Sequence, residues 1–94
     1  MKVLWTRLAL LDLNEVYAYI HEEKPSATSR MLAQIKKTTQ NLARHPEIGR
    51  PGRVNDTREI IVTGTPLIIA YRLKANRVEL IALIHGARRW PDQF

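Results

Sequence analysis

The second half of the chain has three apolar runs typical of β-strands, at residues 57–63, 67–73 and 78–85. The connectors at 64–66 and 74–77 are too short for the crossover that a parallel pair of strands requires. The runs therefore predict three antiparallel strands in sequence order. Because they are strongly apolar, at least one face of their sheet must be covered by another part of the chain.

The first half of the chain supplies that cover. Apolar residues recur there at spacings of three and four in two stretches, which is the pattern of amphipathic helices. They are Ala9, Leu13, Val16 and Ile20 in the first stretch, and Thr28, Met31, Ile35, Thr38 and Leu42 in the second. Pro25 separates the stretches, and Ser26 is a candidate N-cap for the second helix. We expect one α+β domain over residues 1–94, in which an N-terminal strand and an antiparallel helical hairpin pack on one face of an antiparallel β-sheet.

The charge of the chain indicates an anionic partner. Lys and Arg number 15 against 9 Asp and Glu, which gives a formal net charge of +6. Most of the arginines lie in the second half of the chain: Arg44, Arg50, Arg53, Arg58, Arg72, Arg77, Arg88 and Arg89. Because a guanidinium pairs bidentately with phosphate or carboxylate, this bias favours a recognition surface over scattered solvated charges.

Several classes of site are excluded by what the sequence lacks. Without cysteine there is no disulfide, thiolate metal site or cysteine nucleophile. Neither a metal-ligand spacing nor a phosphate-binding glycine loop is present, so we expect no metal and no cofactor. No apolar stretch approaches the roughly 20 residues of a membrane span, and residues 1–7 do not form a signal peptide. We therefore expect a cytoplasmic protein with no membrane partner.

Strand alternation and loop position suggest one positive surface. Residues Pro46–Arg53, here called the basic loop, contain prolines and glycines that no helix or central strand accommodates. If Arg58 and Arg72 share the sheet face away from the helices, they would join the other candidate target-binding residues in one cluster. Those others are Arg50, Arg53, Arg88, Arg89 and Trp90.

His85 and Trp90 each allow two interpretations. His85 ends the last strand at a rim and has the only side chain near the cluster whose pKa suits proton transfer at neutral pH, although a rim histidine is more often bound to a backbone carbonyl. Trp90 suits stacking on a base, filling a partner's groove or closing the edge of the core.

The first helix has more apolar residues than one buried face needs. Leu8, Leu11 and Tyr19 lie off the stripe of Ala9 and Val16. In a chain too small to bury a large core alone, such residues predict a surface that a partner helix covers.

Five fragments occur in the order found in one family. They are the helical pair and, after it, Pro46-Glu47-Ile48-Gly49-Arg50-Pro51-Gly52-Arg53, Thr57-Arg58-Glu59-Ile60-Ile61-Val62, Thr65-Pro66-Leu67-Ile68-Ile69-Ala70-Tyr71-Arg72 and Leu83-Ile84-His85-Gly86-Ala87-Arg88-Arg89-Trp90-Pro91. With this order over nearly its whole length, the chain resembles the RelE/ParE toxins of bacterial type II toxin-antitoxin systems. The resemblance implies a toxin that forms a hetero-oligomer with a cognate ParD- or RelB-like antitoxin.

The resemblance implies one of two activities. RelE-type toxins cleave messenger RNA in the ribosomal A site, whereas ParE-type toxins poison DNA gyrase and are not nucleases. If this chain is a nuclease, the resemblance and the residue chemistry make Arg58, His85 and Arg88 the catalytic candidates. However, Ile68 stands where RelE-type nucleases commonly have an arginine, and no tyrosine follows Tyr71.

These departures favour gyrase inhibition, so we do not expect an enzyme. An arginine at position 58 is also a poor proton acceptor, because its pKa lies above about 12. A further alternative is a non-toxic nucleic-acid-binding module. The sequence argues against it, because it has no helix-turn-helix with a basic recognition helix.

Overall fold

The computed structural model describes residues 1–85 of the chain. Its elements are β1 (Lys2–Trp5), α1 (Arg7–Glu23), a short 3₁₀ turn (Pro25–Ala27), α2 (Thr28–Arg44), β2 (Arg50–Pro51), β3 (Arg58–Ile61), β4 (Leu67–Lys74) and β5 (Arg77–His85). The α+β class and the helical hairpin are therefore confirmed. Within residues 1–85, no helix is long and apolar enough to cross a membrane.

The sheet has five strands in the order β1-β5-β4-β3-β2. The expectation of a wholly antiparallel sheet is wrong in one respect, because β1 is an edge strand that runs parallel to β5. The chain leaves β1 through the whole helical hairpin before it enters the meander, and a connection of that length permits a parallel pair. The other pairs are antiparallel, as predicted.

Local side-chain chemistry fixes the start of α1 but not that of α2. The Thr6 hydroxyl caps α1 by accepting the Ala9 N–H, and it donates to the Leu80 carbonyl of β5 at 2.7 Å. The second helix has no side-chain cap, so the expectation for Ser26 is wrong. Ser26 lies inside the 3₁₀ turn that leads directly into α2, and the chain is already helical at that point.

The helices cover one face of the sheet, here called the inner face. Its fully buried side chains include Ile69 and Tyr71 of β4, which pack with Leu42 of α2. The opposite or outer face has a separate buried cluster of Ala70, Ala82 and Ile84.

A β-bulge in β5 changes which of its side chains point to each face. Tyr71 pairs with Leu80 and Ala70 pairs with Ala82, so Ile81 is an extra residue on β5. Before the bulge, Leu80 points to the inner face, and after it Leu83 does so. Strict alternation, which would put Ala82 and Ile84 on the face of Leu80, therefore fails in the second half of β5.

Candidate functional site

The outer face carries a buried carboxylate held by two arginines of the basic loop. Glu59 of β3 is 3% exposed, and its carboxylate accepts a hydrogen bond from Arg50 at 3.2 Å and one from the Arg53 backbone N–H at 2.7 Å. The Arg53 Nε lies 3.8 Å from the same carboxylate. Two guanidiniums thus share one negative charge, which leaves this cluster with a net positive charge.

A second cluster repeats this arrangement on β4 and β5. Glu79 is buried and pairs with Arg72 at 2.7 Å and with Arg77 at 3.1 Å. The hydrogen bond from Arg72 is the main reason that the pKa of Glu79 is lowered, with a further contribution from Arg77 opposing the effect of burial. We call the two clusters, Arg50–Glu59–Arg53 and Arg72–Glu79–Arg77, the arginine clamps.

Arg58 does not belong to this surface, and the expectation that it shares a face with Arg72 is wrong. It pairs with Tyr71, whose ring packs in the inner-face core. Its guanidinium Nη1 donates to two carbonyls of the basic loop, Gly49 at 2.8 Å and Glu47 at 3.3 Å. Arg58 therefore braces the loop from the inner side of the sheet.

Tyr71 holds the same loop. Its hydroxyl accepts the Gly49 N–H at 2.8 Å and donates to the Pro46 carbonyl at 2.9 Å. Burial is the main cause that raises the pKa of this phenol, with smaller lowering effects from its hydrogen bond to Gly49 and from the charge of Arg58.

His85 is also separate from the arginine clamps. It pairs with Leu67 at one end of β4, whereas Arg72 lies five residues further along the same strand, which is about 16 Å at roughly 3.3 Å per residue. The bulge at Ile81 turns His85 toward the inner face, where it lines a groove. The single positive surface expected from strand parity is thus divided.

That groove has a volume of about 670 Å³. It opens between the hairpin and the end of the sheet where β4 starts and β5 ends. Its lining includes apolar Val16, Ile20, Met31 and Leu67, with Glu15, Tyr19, Arg30 and His85 among the polar and amphipathic groups. An apolar lining with a few charged groups suits an amphipathic ligand.

The exposed apolar residues of α1 continue the groove. Leu8 is 45% exposed, Leu11 51% and Tyr19 63%. At 3.6 residues per turn these three lie within about 80° of one another on the helix, and Tyr19 itself lines the groove. They form a stripe, here called the α1 stripe, beside the buried residues of the same helix.

The remaining predicted site residues, Arg88, Arg89 and Trp90, lie outside the described residues. Three members of the clamps, Glu59, Glu79 and Arg77, were not expected to contribute. A single glutamate within each apolar strand is the sequence signal for them, since a charge at such a position needs a partner. Among residues 1–85 there is no group of three or more His, Asp and Glu that could hold a metal ion.

The fold and these surfaces describe a small basic α+β protein, and comparisons with known proteins place it in a class. The family described as the ParE toxin of the type II toxin-antitoxin system, parDE, matches residues 3–90. "Putative toxin Y4kP" of Sinorhizobium fredii is 39% identical over 91 residues, which cover 97% of this chain and 94% of the relative. The toxin RelE2 of Caulobacter vibrioides is 34% identical over 87 residues, with coverage of 93% and 97%.

A solved structure agrees with this fold. A chain of the chromosomal ParDE toxin-antitoxin system from P. aeruginosa superimposes with a TM-score of 0.80 at 22% identity, over 90% of this chain and 95% of the other. The protein is thus a toxin of the RelE/ParE superfamily of type II toxin-antitoxin systems. Within that superfamily, the chain belongs to the ParE toxin family.

Proposed function

We propose that this toxin arrests bacterial growth in the cytoplasm by poisoning DNA gyrase, and that a cognate ParD-like antitoxin neutralises it. We choose the activity of the ParE branch because the family that matches this chain belongs to that branch. The alternative activity is ribosome-dependent cleavage of messenger RNA, which requires a particular arrangement of catalytic groups.

The observation that carries the proposal is the separation of His85 from the arginine clamps. Cleavage of RNA by general acid-base chemistry needs a proton donor or acceptor within hydrogen-bond reach of the reacting group, beside cations that stabilise the phosphate. His85 lies on the inner face and the clamps lie on the outer face. Along β4, the His85 partner Leu67 is about 10 Å from Ala70, which pairs with Glu59, and about 16 Å from Arg72. In addition, Ile68 contributes an apolar side chain to the outer face. His85 is therefore not beside the clamps.

The clamps supply the target-binding surface in this proposal. Each guanidinium is a planar fork of five N–H donors, which pairs with phosphate or carboxylate groups of a target. The four arginine side chains are 43–57% exposed, whereas the two glutamates that hold them are buried. Arg88, Arg89 and Trp90 are further target-binding residues in this proposal.

The antitoxin occupies the α1 stripe and the groove in this proposal. From Leu8 to Tyr19 the stripe spans eleven residues of helix, or about 16 Å at 1.5 Å per residue, which matches three turns of an antitoxin helix. Apolar residues of that helix cover the stripe, and an acidic residue meets Arg30 at the groove.

Expression in bacteria under a titratable promoter tests the proposed target. We expect filamented cells with damaged DNA and continuing protein synthesis, and co-expression of the neighbouring antitoxin gene should restore growth. His85→Gln should keep nearly full toxicity, because no proton transfer is involved. An abrupt stop in translation, together with at least a hundredfold loss of toxicity in a folded His85→Gln variant, would instead establish RNA cleavage, since acid-base groups contribute about 10²–10⁴-fold.

The clamps are tested in the same strain. Arg50→Ala with Arg53→Ala, and separately Arg88→Ala with Arg89→Ala, should reduce toxicity while leaving antitoxin binding intact. Removing Arg50 and Arg53 leaves the buried Glu59 carboxylate with only the Arg53 backbone N–H among the contacts described above, so circular dichroism and antitoxin binding must show that this variant is folded before its toxicity is compared. If the wild-type chain binds DNA but does not affect growth, the protein is a nucleic-acid-binding module and the proposal fails.

A further inference from the structure

The basic loop is held in place by one buried side chain, the phenol of Tyr71. Tyr71 is fully buried, and its hydroxyl bonds to the loop at both Pro46 and Gly49, where it satisfies one carbonyl and one N–H. The loop has little regular pairing of its own, since β2 is only two residues long. The hydroxyl therefore replaces backbone partners that a longer strand would provide.

Arg58 adds a second set of bonds from the same side. Its Nη1 donates to the carbonyls of Gly49 and Glu47, so the two side chains together bind the loop backbone at Pro46, Glu47 and Gly49. Both bonds come from one nitrogen, Nη1; a lysine at position 58 would keep the positive charge but would not place a donor at the end of a guanidinium. This makes the geometry of Arg58, and not merely its charge, the feature to test.

Close packing at Gly49 shows how tightly the loop is placed. A Cβ added there would lie 2.5 Å from the Tyr71 hydroxyl and 2.8 Å from the Glu59 carbonyl oxygen, which no ordinary contact allows. The backbone is thus seated between β4 and β3 immediately before Arg50. From there, Glu59 fixes Arg50 through its side chain and Arg53 through its backbone N–H.

We propose that Tyr71 and Arg58 are positioning residues that fix the basic loop so that Arg50 and Arg53 meet the target in a preset geometry. This rests on the proposed role of Arg50 and Arg53 in binding the target. Holding an arginine before binding reduces the conformational entropy that the complex must otherwise lose, so affinity depends on groups that never touch the target.

The test compares Tyr71→Phe and Arg58→Lys with the matched control Tyr17→Phe, which removes the hydroxyl of an exposed tyrosine on α1. The readout is the cellular toxin concentration that halves growth, set by titrating the inducer and measured by immunoblot, because it is valid whichever target the toxin has. We expect Tyr71→Phe and Arg58→Lys to need about fivefold to tenfold more toxin for the same effect, with unchanged antitoxin affinity. Hydrogen exchange at the Gly49 amide should be faster, while exchange in α2 stays as in the wild type.

A double-mutant cycle separates positioning from general destabilisation. In an Arg50→Ala, Arg53→Ala background, Tyr71→Phe should cause no further loss, because the residues that it positions are gone. An equal further loss in that background, or full toxicity of Tyr71→Phe alone, would overturn the positioning role. If Tyr71→Phe fails to fold, Arg58→Lys takes its place in the same double-mutant cycle, with the same two outcomes.

The two levels of the proposal fail in different ways. If the Arg50→Ala, Arg53→Ala variant keeps full toxicity, then the target surface is wrong and the positioning role is wrong with it. If that variant loses toxicity while Tyr71→Phe and Arg58→Lys keep it, only the positioning role is wrong.

Discussion

The α1 stripe predicts how tightly the antitoxin binds. Full burial of a large apolar side chain contributes about 1.5–3 kcal/mol. Leu11 is 51% and Tyr19 63% exposed in the free toxin, so roughly half of that gain at each residue is left for a partner. Truncation of both to alanine should therefore weaken the complex by about 2–3 kcal/mol, or roughly 30-fold to 150-fold in Kd.

Titration calorimetry of the purified toxin with its neighbour-encoded antitoxin measures this loss. The matched control is Leu10→Ala with Tyr17→Ala, since Leu10 is 46% and Tyr17 41% exposed on the other flank of the same helix. We expect the control to bind within about threefold of the wild type. Because each of the four side chains is about half-buried in the free toxin, both double variants should lose a similar unfolding free energy of about 1.5–3 kcal/mol. An equal loss of affinity in both pairs, or none in either, would refute the assignment of the α1 stripe.

Three further predictions concern stability, each read from chemical or thermal unfolding. Gly49→Ala should destabilise the fold by about 1–3 kcal/mol because its Cβ has no space beside Tyr71, and a variant of wild-type stability would show that the loop is seated differently. Ala75→Gly should stabilise by about 0.5–1 kcal/mol, since Ala75 has a φ of 53° in the two-residue turn between β4 and β5; a loss of stability would contradict that turn geometry. Glu79 has a lowered pKa in the folded state, so its ionised form stabilises the fold above the ordinary value near 4.5 and this contribution is lost as the pH falls through the lowered pKa. The difference in unfolding free energy between wild type and Glu79→Gln should thus be larger at pH 7 than at pH 3, and a difference independent of pH would argue against the second clamp.

The elements themselves could be predicted from sequence because their signals are local. Apolar spacing gave both helices, and short connectors gave the antiparallel meander of β3, β4 and β5. The exposure of Leu8, Leu11 and Tyr19 also followed from helical spacing. Their role in antitoxin binding stays a prediction.

The arrangement of the site could not be predicted in the same way, because it depends on register. At the bulge, Ile81 has no partner on β4, and the residue types of β5 do not indicate this. The bulge nevertheless moves every later residue of the strand, including His85, to the opposite face. Arg58 could be placed only once its pairing with Tyr71 was known. Non-local pairing, and not local preference, thus determines which cations share a surface.

A supercoiling assay with purified gyrase and relaxed plasmid tests the central claim most directly. We expect the toxin to inhibit supercoiling and trap cleaved DNA, the cognate antitoxin to relieve both effects, and His85→Gln to inhibit as well as the wild type. Under the same conditions, a purified translation system should continue to make protein. Undisturbed supercoiling together with arrest of translation and cleavage of ribosome-bound messenger RNA would contradict the account.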